Sequence, residues 1–369
     1  MKVWRRRCAS DHRGSRAVSC SPHPPKRLVR HLMNSAEPTV VTLRAGGLEL
    51  SLSNLGATWL TCRVPLRRQS QREVLLGRHT MTEPRARNAY IGATIGRYAN
   101  RIGGARYVHE RQVRTLVPNV GSPHQLHGGP EGFHTRRWDI LKRSSDEVTL
   151  SLTSPAGDQG FPGEAKVVVT YRLIDESTIE MNAHAELSEE SPVCLTNHAY
   201  YNLGGEPSDV REHRLSVNAE HYLPVDGGLI PRGDLASVAG TSFDFREPKR
   251  LADDWLKDAQ QQIAGGYDHA FLIDPTCSGM QRPLCTLASP DGALGMEMYS
   301  TLPSLQLYAG QYLEGIPSRH GVPLPACAGV ALEPQFLPDS PNHPEWPQPS
   351  CFFGPSRPYR HVIRWKFLR

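Results

Sequence analysis

Glu333 ends an otherwise apolar run, Val330-Ala331-Leu332-Glu333-Pro334-Gln335-Phe336. Acids are seldom buried unless paired or put to use, so this carboxylate is the strongest single suggestion of catalysis in the chain; a buried salt bridge would also account for it. A proton carrier to work with it is available in Thr196-Asn197-His198-Ala199-Tyr200-Tyr201-Asn202-Leu203-Gly204. There His198, which titrates near neutral pH, sits among hydrogen-bonding side chains and aromatic rings. Arg101, in Gly96-Arg97-Tyr98-Ala99-Asn100-Arg101-Ile102-Gly103-Gly104, offers a planar fork to oxygen ligands, although alone it reads as a surface arginine. His127, in Leu126-His127-Gly128-Gly129, precedes flexible residues that could let a ligand approach closely, and alone it reads as a turn cap. Asp268, in Gly266-Tyr267-Asp268-His269-Ala270-Phe271, is a carboxylate among aromatics, suited either to accepting hydroxyl hydrogens or to capping a turn.

Other chemistries lack their residues. The chain has no GxxxxGK[ST], no GxGxxG between a strand and a helix, no HExxH and no GxSxG, which removes support for nucleotide and hydrolase readings. His124, His127, His198 and Glu333 are ligand types that could hold a metal. The segment carrying His124 and His127 also carries Pro123 and glycines, which disfavour a helix, so the two histidines need not face one point, and no metal is expected.

These residues fall in loops and at the ends of short strands, where functional groups are positioned by a rigid scaffold. From residue 39 onward apolar and polar residues alternate at period 2, broken by Gly, Pro, Asn and Asp. In 178–187, Ile179, Met181, Ala183, Ala185 and Leu187 alternate with Glu180, Asn182, His184 and Glu186, which predicts a strand with one buried face. Residues 148–152 and 166–174 read as strands flanking Asp158-Gln159-Gly160-Phe161-Pro162-Gly163, a hairpin with an elaborated loop. Similar strands are expected at 39–44, 48–53, 295–300, 304–309 and 361–367, and the main helix at 250–263. Many short strands without a βαβ rhythm predict a mostly β fold, a large antiparallel β-sandwich, with 33–369 as one domain.

The 42 basic and 37 acidic residues are unevenly divided. Residues 1–32 hold nine Lys and Arg against the single acid Asp11, leaving 33 basic against 36 acidic in the remainder. The body therefore has no general footprint for nucleic acid. The basic segment is expected to be disordered, with Met33 as the biological start. The arginines at 5–7 are not followed by an apolar stretch, which argues against a secretory signal and leaves an Arg- and Ser-rich transit segment open. No run reaches the length of a membrane span. The eight cysteines are scattered without a CxxC pair, which fits a reducing cytoplasm.

Taken in order, these segments resemble the aldose 1-epimerase (galactose mutarotase) family, in its bacterial form, from about Thr39 to the C-terminus. Besides the residues above, the resemblance rests on Leu126-His127-Gly128-Gly129-Pro130-Glu131-Gly132-Phe133, Leu223-Pro224-Val225-Asp226, Gly240-Thr241-Ser242-Phe243-Asp244-Phe245, Leu332-Glu333 and Pro338-Asp339-Ser340-Pro341-Asn342-His343-Pro344. It implies a galactose mutarotase-like sandwich with an open cleft for a pyranose, working without cofactor on free hexoses such as galactose and glucose, as monomer or homodimer. It implies Glu333 as general base, His198 as general acid and His127 as an aid at the ring or C1 oxygen. Asn100 and Arg101 would hold sugar oxygens, Asp268 ring hydroxyls, and Gln306 would contact the sugar. On this reading Glu333 is expected to be ionised and His198 substantially charged at neutral pH. The rival readings are a hexose-6-phosphate 1-epimerase, which needs extra cations, and a non-catalytic carbohydrate-binding sandwich, which needs no acid and base together.

Overall fold

The computed structural model describes residues 37–67, 70–78, 89–205 and 208–369. The basic segment 1–32 and its boundary at Met33 lie outside them. Pro38–Arg369 forms one compact unit, built on two large antiparallel sheets.

The larger sheet has nine strands, in spatial order Asp139–Arg143, Glu147–Ser154, Ala165–Leu173, Thr178–Leu187, Tyr359–Leu368, Gly295–Ser300, Cys285–Ala288, Arg214–Val217 and Lys249–Arg250. The second has six: Tyr200–Tyr201, Val330–Gln335, Ser304–Tyr308, Asp268–Ile273, Ala219–Leu223 and Ala236–Ser237. A four-stranded sheet, starting at Val40–Ala45 and Leu48–Ser53, packs with them. Residues of all three sheets, among them Leu50, Trp59, Tyr171, Met181, Trp365, Phe271, Leu307 and Leu332, share one continuous core. The expected antiparallel β-sandwich is thus present. Thr178–Leu187 follows the alternation read from sequence, with Met181, Ala183, Ala185 and Leu187 buried and Asn182 and Glu186 exposed.

The expected helix at 250–263 is largely absent. Only Ala259–Ala264 is helical, capped by the Asp258 carboxylate accepting from the Gln260 N–H and ended by Gly265 at φ 71°. Upstream, the Asp253 carboxylate accepts from the Arg250 N–H at 2.9 Å and the Ala252 N–H donates to Arg211 O at 2.8 Å. Those bonds hold the segment in turns in place of helical ones.

The loop between Glu147–Ser154 and Ala165–Leu173, which pair as the expected hairpin, is built around Arg97. This arginine is 2% exposed, and its guanidinium donates to Pro162 O at 2.7 Å, Gly163 O at 3.0 Å and Ser154 Oγ at 2.7 Å. Burial lowers its pKa to about 10. Removing it strands several buried acceptors at once, so Arg97→Ala should lose roughly 3 kcal/mol or more of stability. An unchanged urea midpoint would contradict this account.

Candidate active site

The cleft lies on the face of the six-stranded sheet opposite the core. In Val330–Gln335, Val330 and Leu332 point into the core and Glu333 points the other way. In Ser304–Tyr308, Leu305 and Leu307 face the core while Gln306 and Tyr308 face the cleft. Gln306 pairs in register with Glu333, and Asp268 with Tyr308. Period-2 geometry thus sets Asp268, Gln306 and Glu333 on adjacent strands of one face. Gln306 Nε2 donates to Asp268 Oδ1 at 2.6 Å, fixing which way both side chains turn.

His198 is delivered from the edge of this sheet. Thr196–Asn197 pairs with Thr94–Ile95, and Tyr200–Tyr201 pairs with Val330–Gln335, so the chain between them crosses beside Glu333. Its backbone is fixed by His198 N–H to Ala93 O at 2.9 Å and Gly92 N–H to His198 O at 2.8 Å. His198 Nε2 then lies 3.6 Å from Glu333 Oε1, with both residues buried.

His127 and Arg101 come from a separate ladder, Arg101–Ile102 against Gln125–Leu126. His127 adopts φ 54°, and Gly128 follows at φ 78°. A Cβ on Gly128 would come within 2.0 Å of Gly96 O. That glycine is required by another stretch of backbone, not by an approaching ligand as the sequence suggested. The Asn100 main chain clasps His127, its N–H donating to His127 Nδ1 at 3.2 Å and its carbonyl accepting the His127 N–H at 3.0 Å. Asn100 Oδ1 accepts the Arg101 N–H at 2.8 Å. All seven residues singled out from sequence line one cleft of about 250 Å³.

Burial decides the charge states. It pushes the Glu333 carboxyl well above its usual range, reinforced by Asp268 and opposed by Arg101. It pulls His198 down to about 4. Burial therefore favours an uncharged pair carrying one proton between the two groups, the reverse of the ionised pair expected from sequence. His127 is held well below its ordinary value by burial, and further by His198, Arg101 and His134. Because Nδ1 already accepts from Asn100, neutral His127 carries its proton on Nε2 and is a hydrogen-bond donor. Asp268 is raised by burial, an effect that Arg101 and Gln306 oppose.

Ligand atoms of His127, His198 and Glu333 lie within 4.8 Å of one another, a donor set that zinc can use. The tautomer of His127 does not fit a resident metal. A ligating histidine offers a lone pair on one nitrogen and donates from the other, whereas His127 accepts on Nδ1. His124 does not join the group; its Nδ1 accepts from the Gly104 N–H at 3.0 Å, and it lines an adjoining cavity.

Sequence reasoning missed part of the wall. Tyr90 packs its ring 4.6 Å from His127 and 5.8 Å from His198, centroid to centroid. Tyr308, Tyr312 and Leu229 also line the cleft. Tyr308 was within reach, since it alternates with Gln306 along a strand. Tyr90 and Leu229 sit at φ 60° and 58° in irregular segments that carry no pattern.

Residues 39–366 match the Aldose 1-epimerase family. An aldose 1-epimerase of Escherichia coli (strain K12) is 46% identical over 330 residues, covering 89% of this chain and 95% of its own. The galactose mutarotase of Homo sapiens is 34% identical over 329 residues, covering 88% and 92% respectively. Among solved structures, a GalM/aldose epimerase homologue from C. elegans aligns with a TM-score of 0.81 at 29% identity, covering 90% of this chain and 99% of that one. A galactose 1-epimerase from Lactobacillus acidophilus aligns with a TM-score of 0.78 at 26% identity, covering 91% and 96%. With this breadth of agreement, the chain belongs to the aldose 1-epimerase family of isomerases.

Proposed function

We propose that the cleft interconverts the α and β anomers of free aldohexoses, galactose and glucose among them, by opening and reclosing the pyranose ring. The observation that carries this reading is the buried approach of His198 Nε2 to Glu333 Oε1 at 3.6 Å, an acid and a base aimed at one small volume. Glu333 as carboxylate removes the C1 hydroxyl proton, His198 as imidazolium protonates the ring oxygen, and the C1–O5 bond breaks as the C1 carbonyl forms. Rotation about C1–C2 presents the other face of the aldehyde, and the same pair closes the ring.

Ring opening leaves Glu333 protonated and His198 neutral, which is the state that burial favours. The low-dielectric site thereby stabilises the open-chain stage. His127 donates its Nε2–H to the ring or C1 oxygen. Asp268 and Gln306 bind hydroxyls remote from the breaking bond, and Arg101 holds a sugar oxygen. Asn100, whose Oδ1 is engaged by the Arg101 N–H, supports its two neighbours as well as bordering the sugar. No cofactor takes part in this scheme.

Arg101 is the one Lys or Arg among the described residues lining the cleft, which offers a phosphorylated hexose no second cation among them. No helix among the described residues is long and apolar enough to cross a membrane. The cysteines among the described residues are free and buried, which suits a reducing compartment, and we propose that the enzyme works in the cytoplasm as a monomer or homodimer.

Polarimetry of freshly dissolved α-D-galactose and α-D-glucose tests the reading. Acceleration over buffer that glucose 6-phosphate does not suppress is expected; no acceleration on either sugar would overturn it. Asp268→Ala should raise KM at least tenfold with a smaller change in kcat, since it removes binding and not chemistry. A loss confined to kcat would remove Asp268 from the binding role.

A further inference from the structure

Arg101 is set in the cleft from behind, through its main chain. The strand that carries it is two residues long and is paired with Gln125–Leu126. The turn at 339–342 meets the same segment. The Asp339 N–H donates to Arg101 O at 2.8 Å, and Asp339 Oδ1 accepts the Gly103 N–H at 2.9 Å. One residue therefore holds the backbone on both sides of Ile102. Asp339 is 4% exposed and adopts φ 63°, a conformation that Asp and Asn accept better than most side chains. Its carboxylate is itself oriented. Asn342 Nδ2 donates to Asp339 Oδ1 at 2.7 Å and to Arg106 O at 2.9 Å, and His343 Nε2 lies 3.6 Å from Asp339 Oδ2. The contact is close-fitting, because a Cβ on Gly103 would lie 2.9 Å from Asp339 Oδ2.

We propose that Asp339 is a positioning residue for sugar binding: it clasps the main chain at Arg101 and Gly103, and so sets where the guanidinium stands in the cleft. This rests on the mutarotase reading of that cleft. Asp339 does not line the cleft, so it acts only through the residues it holds.

The test uses the full chain, with kcat and KM from polarimetry on α-D-galactose and galactose affinity from calorimetry. Loss of a buried acceptor for one N–H is worth about a factor of ten. Asp339→Ala should therefore raise Kd and KM about tenfold while kcat changes less than about threefold. Asp339→Asn, which keeps an acceptor for the Gly103 N–H and tolerates the same φ, should restore affinity to within about threefold of wild type. Gly103→Ala presses on the same contact from the other side and should raise KM in the same way, which provides a reading should Asp339→Ala fold poorly. In an Arg101→Ala background, Asp339→Ala should cost kcat/KM less than about twofold more, because the residue it positions is gone. Additive losses in that background, or a fall in kcat equal to the rise in KM, would make Asp339 a structural residue and overturn the proposal. A wild-type chain that neither binds nor mutarotates galactose would sink the functional reading and the clasp together. An active wild type with an unaffected Asp339→Ala variant would sink the clasp alone.

Discussion

Glu333→Gln should slow mutarotation by about 10²–10⁴-fold and at the same time make the fold more stable at neutral pH. The loss of rate follows because the amide fills the same space but accepts no proton from the C1 hydroxyl. The gain in stability follows from the carboxyl's raised pKa. Folding disfavours the ionised form, so above the ordinary value near 4.5 the unfolded chain gives up this proton before the folded chain does. Each further pH unit then costs the wild type about 1.4 kcal/mol, until the folded group ionises too. The glutamine variant escapes that cost. Its advantage over wild type should be smallest near pH 4.5 and grow toward pH 7, read as urea midpoints at several pH values beside polarimetry of the same samples. A variant that keeps wild-type rate removes Glu333 as base; a stability gap that does not widen with pH means the carboxyl is not held neutral.

The same buried acid explains why so much of the site was legible. Glu333 follows Val330, Ala331 and Leu332, so a single acid stands out at the end of an apolar run, whereas Gln306 alternates regularly with Leu305 and Leu307 and was pointed to only by the family resemblance. Strands are read from period 2 alone, so Leu48–Ser53, Thr178–Leu187 and Gly295–Ser300 have the limits expected from sequence. The failed helix had a weaker basis. Its residues admit both helix and turn, and the decision was made by Asp253, Asp258 and the contact with Arg211, of which only the carboxylates are visible in sequence.

Three things could not be read from the chain alone. Tyr90 reaches the histidines from an irregular segment, where no periodicity says which way a side chain faces. The glycine after His127 reads as freedom for a ligand until the approach of Gly96 is seen. The charge states of Glu333 and His198 depend on how completely each is removed from water, and sequence shows the pairing of acid with base but not the depth of burial. The family reading called for a charged pair, whereas burial raises Glu333 and lowers His198, favouring the neutral form of each.

His198→Asn carries the second large expected effect, again about 10²–10⁴-fold in kcat/KM, and the pH profile of the wild type identifies the reason. Activity requires one proton shared between Glu333 and His198, whichever of the two holds it. Adding a second proton fills the base, and removing the only one empties the acid. The acid limb of kcat/KM for the free enzyme should therefore fall near the depressed His198 value of about 4, not near 6.5, and the alkaline limb should report the raised Glu333. Stability gives an independent check with a fixed sign. A histidine held neutral in the fold takes up its proton on unfolding, so between pH 6.5 and 4 the wild type should lose about 1.4 kcal/mol per unit that His198→Asn does not lose. Polarimetry from pH 3.5 upward, corrected for buffer catalysis, and urea midpoints over the same range measure both. An acid limb at 6.5 would mean that His198 is solvated and charged in the free site, and the low-dielectric account of how the open-chain stage is stabilised would then fail.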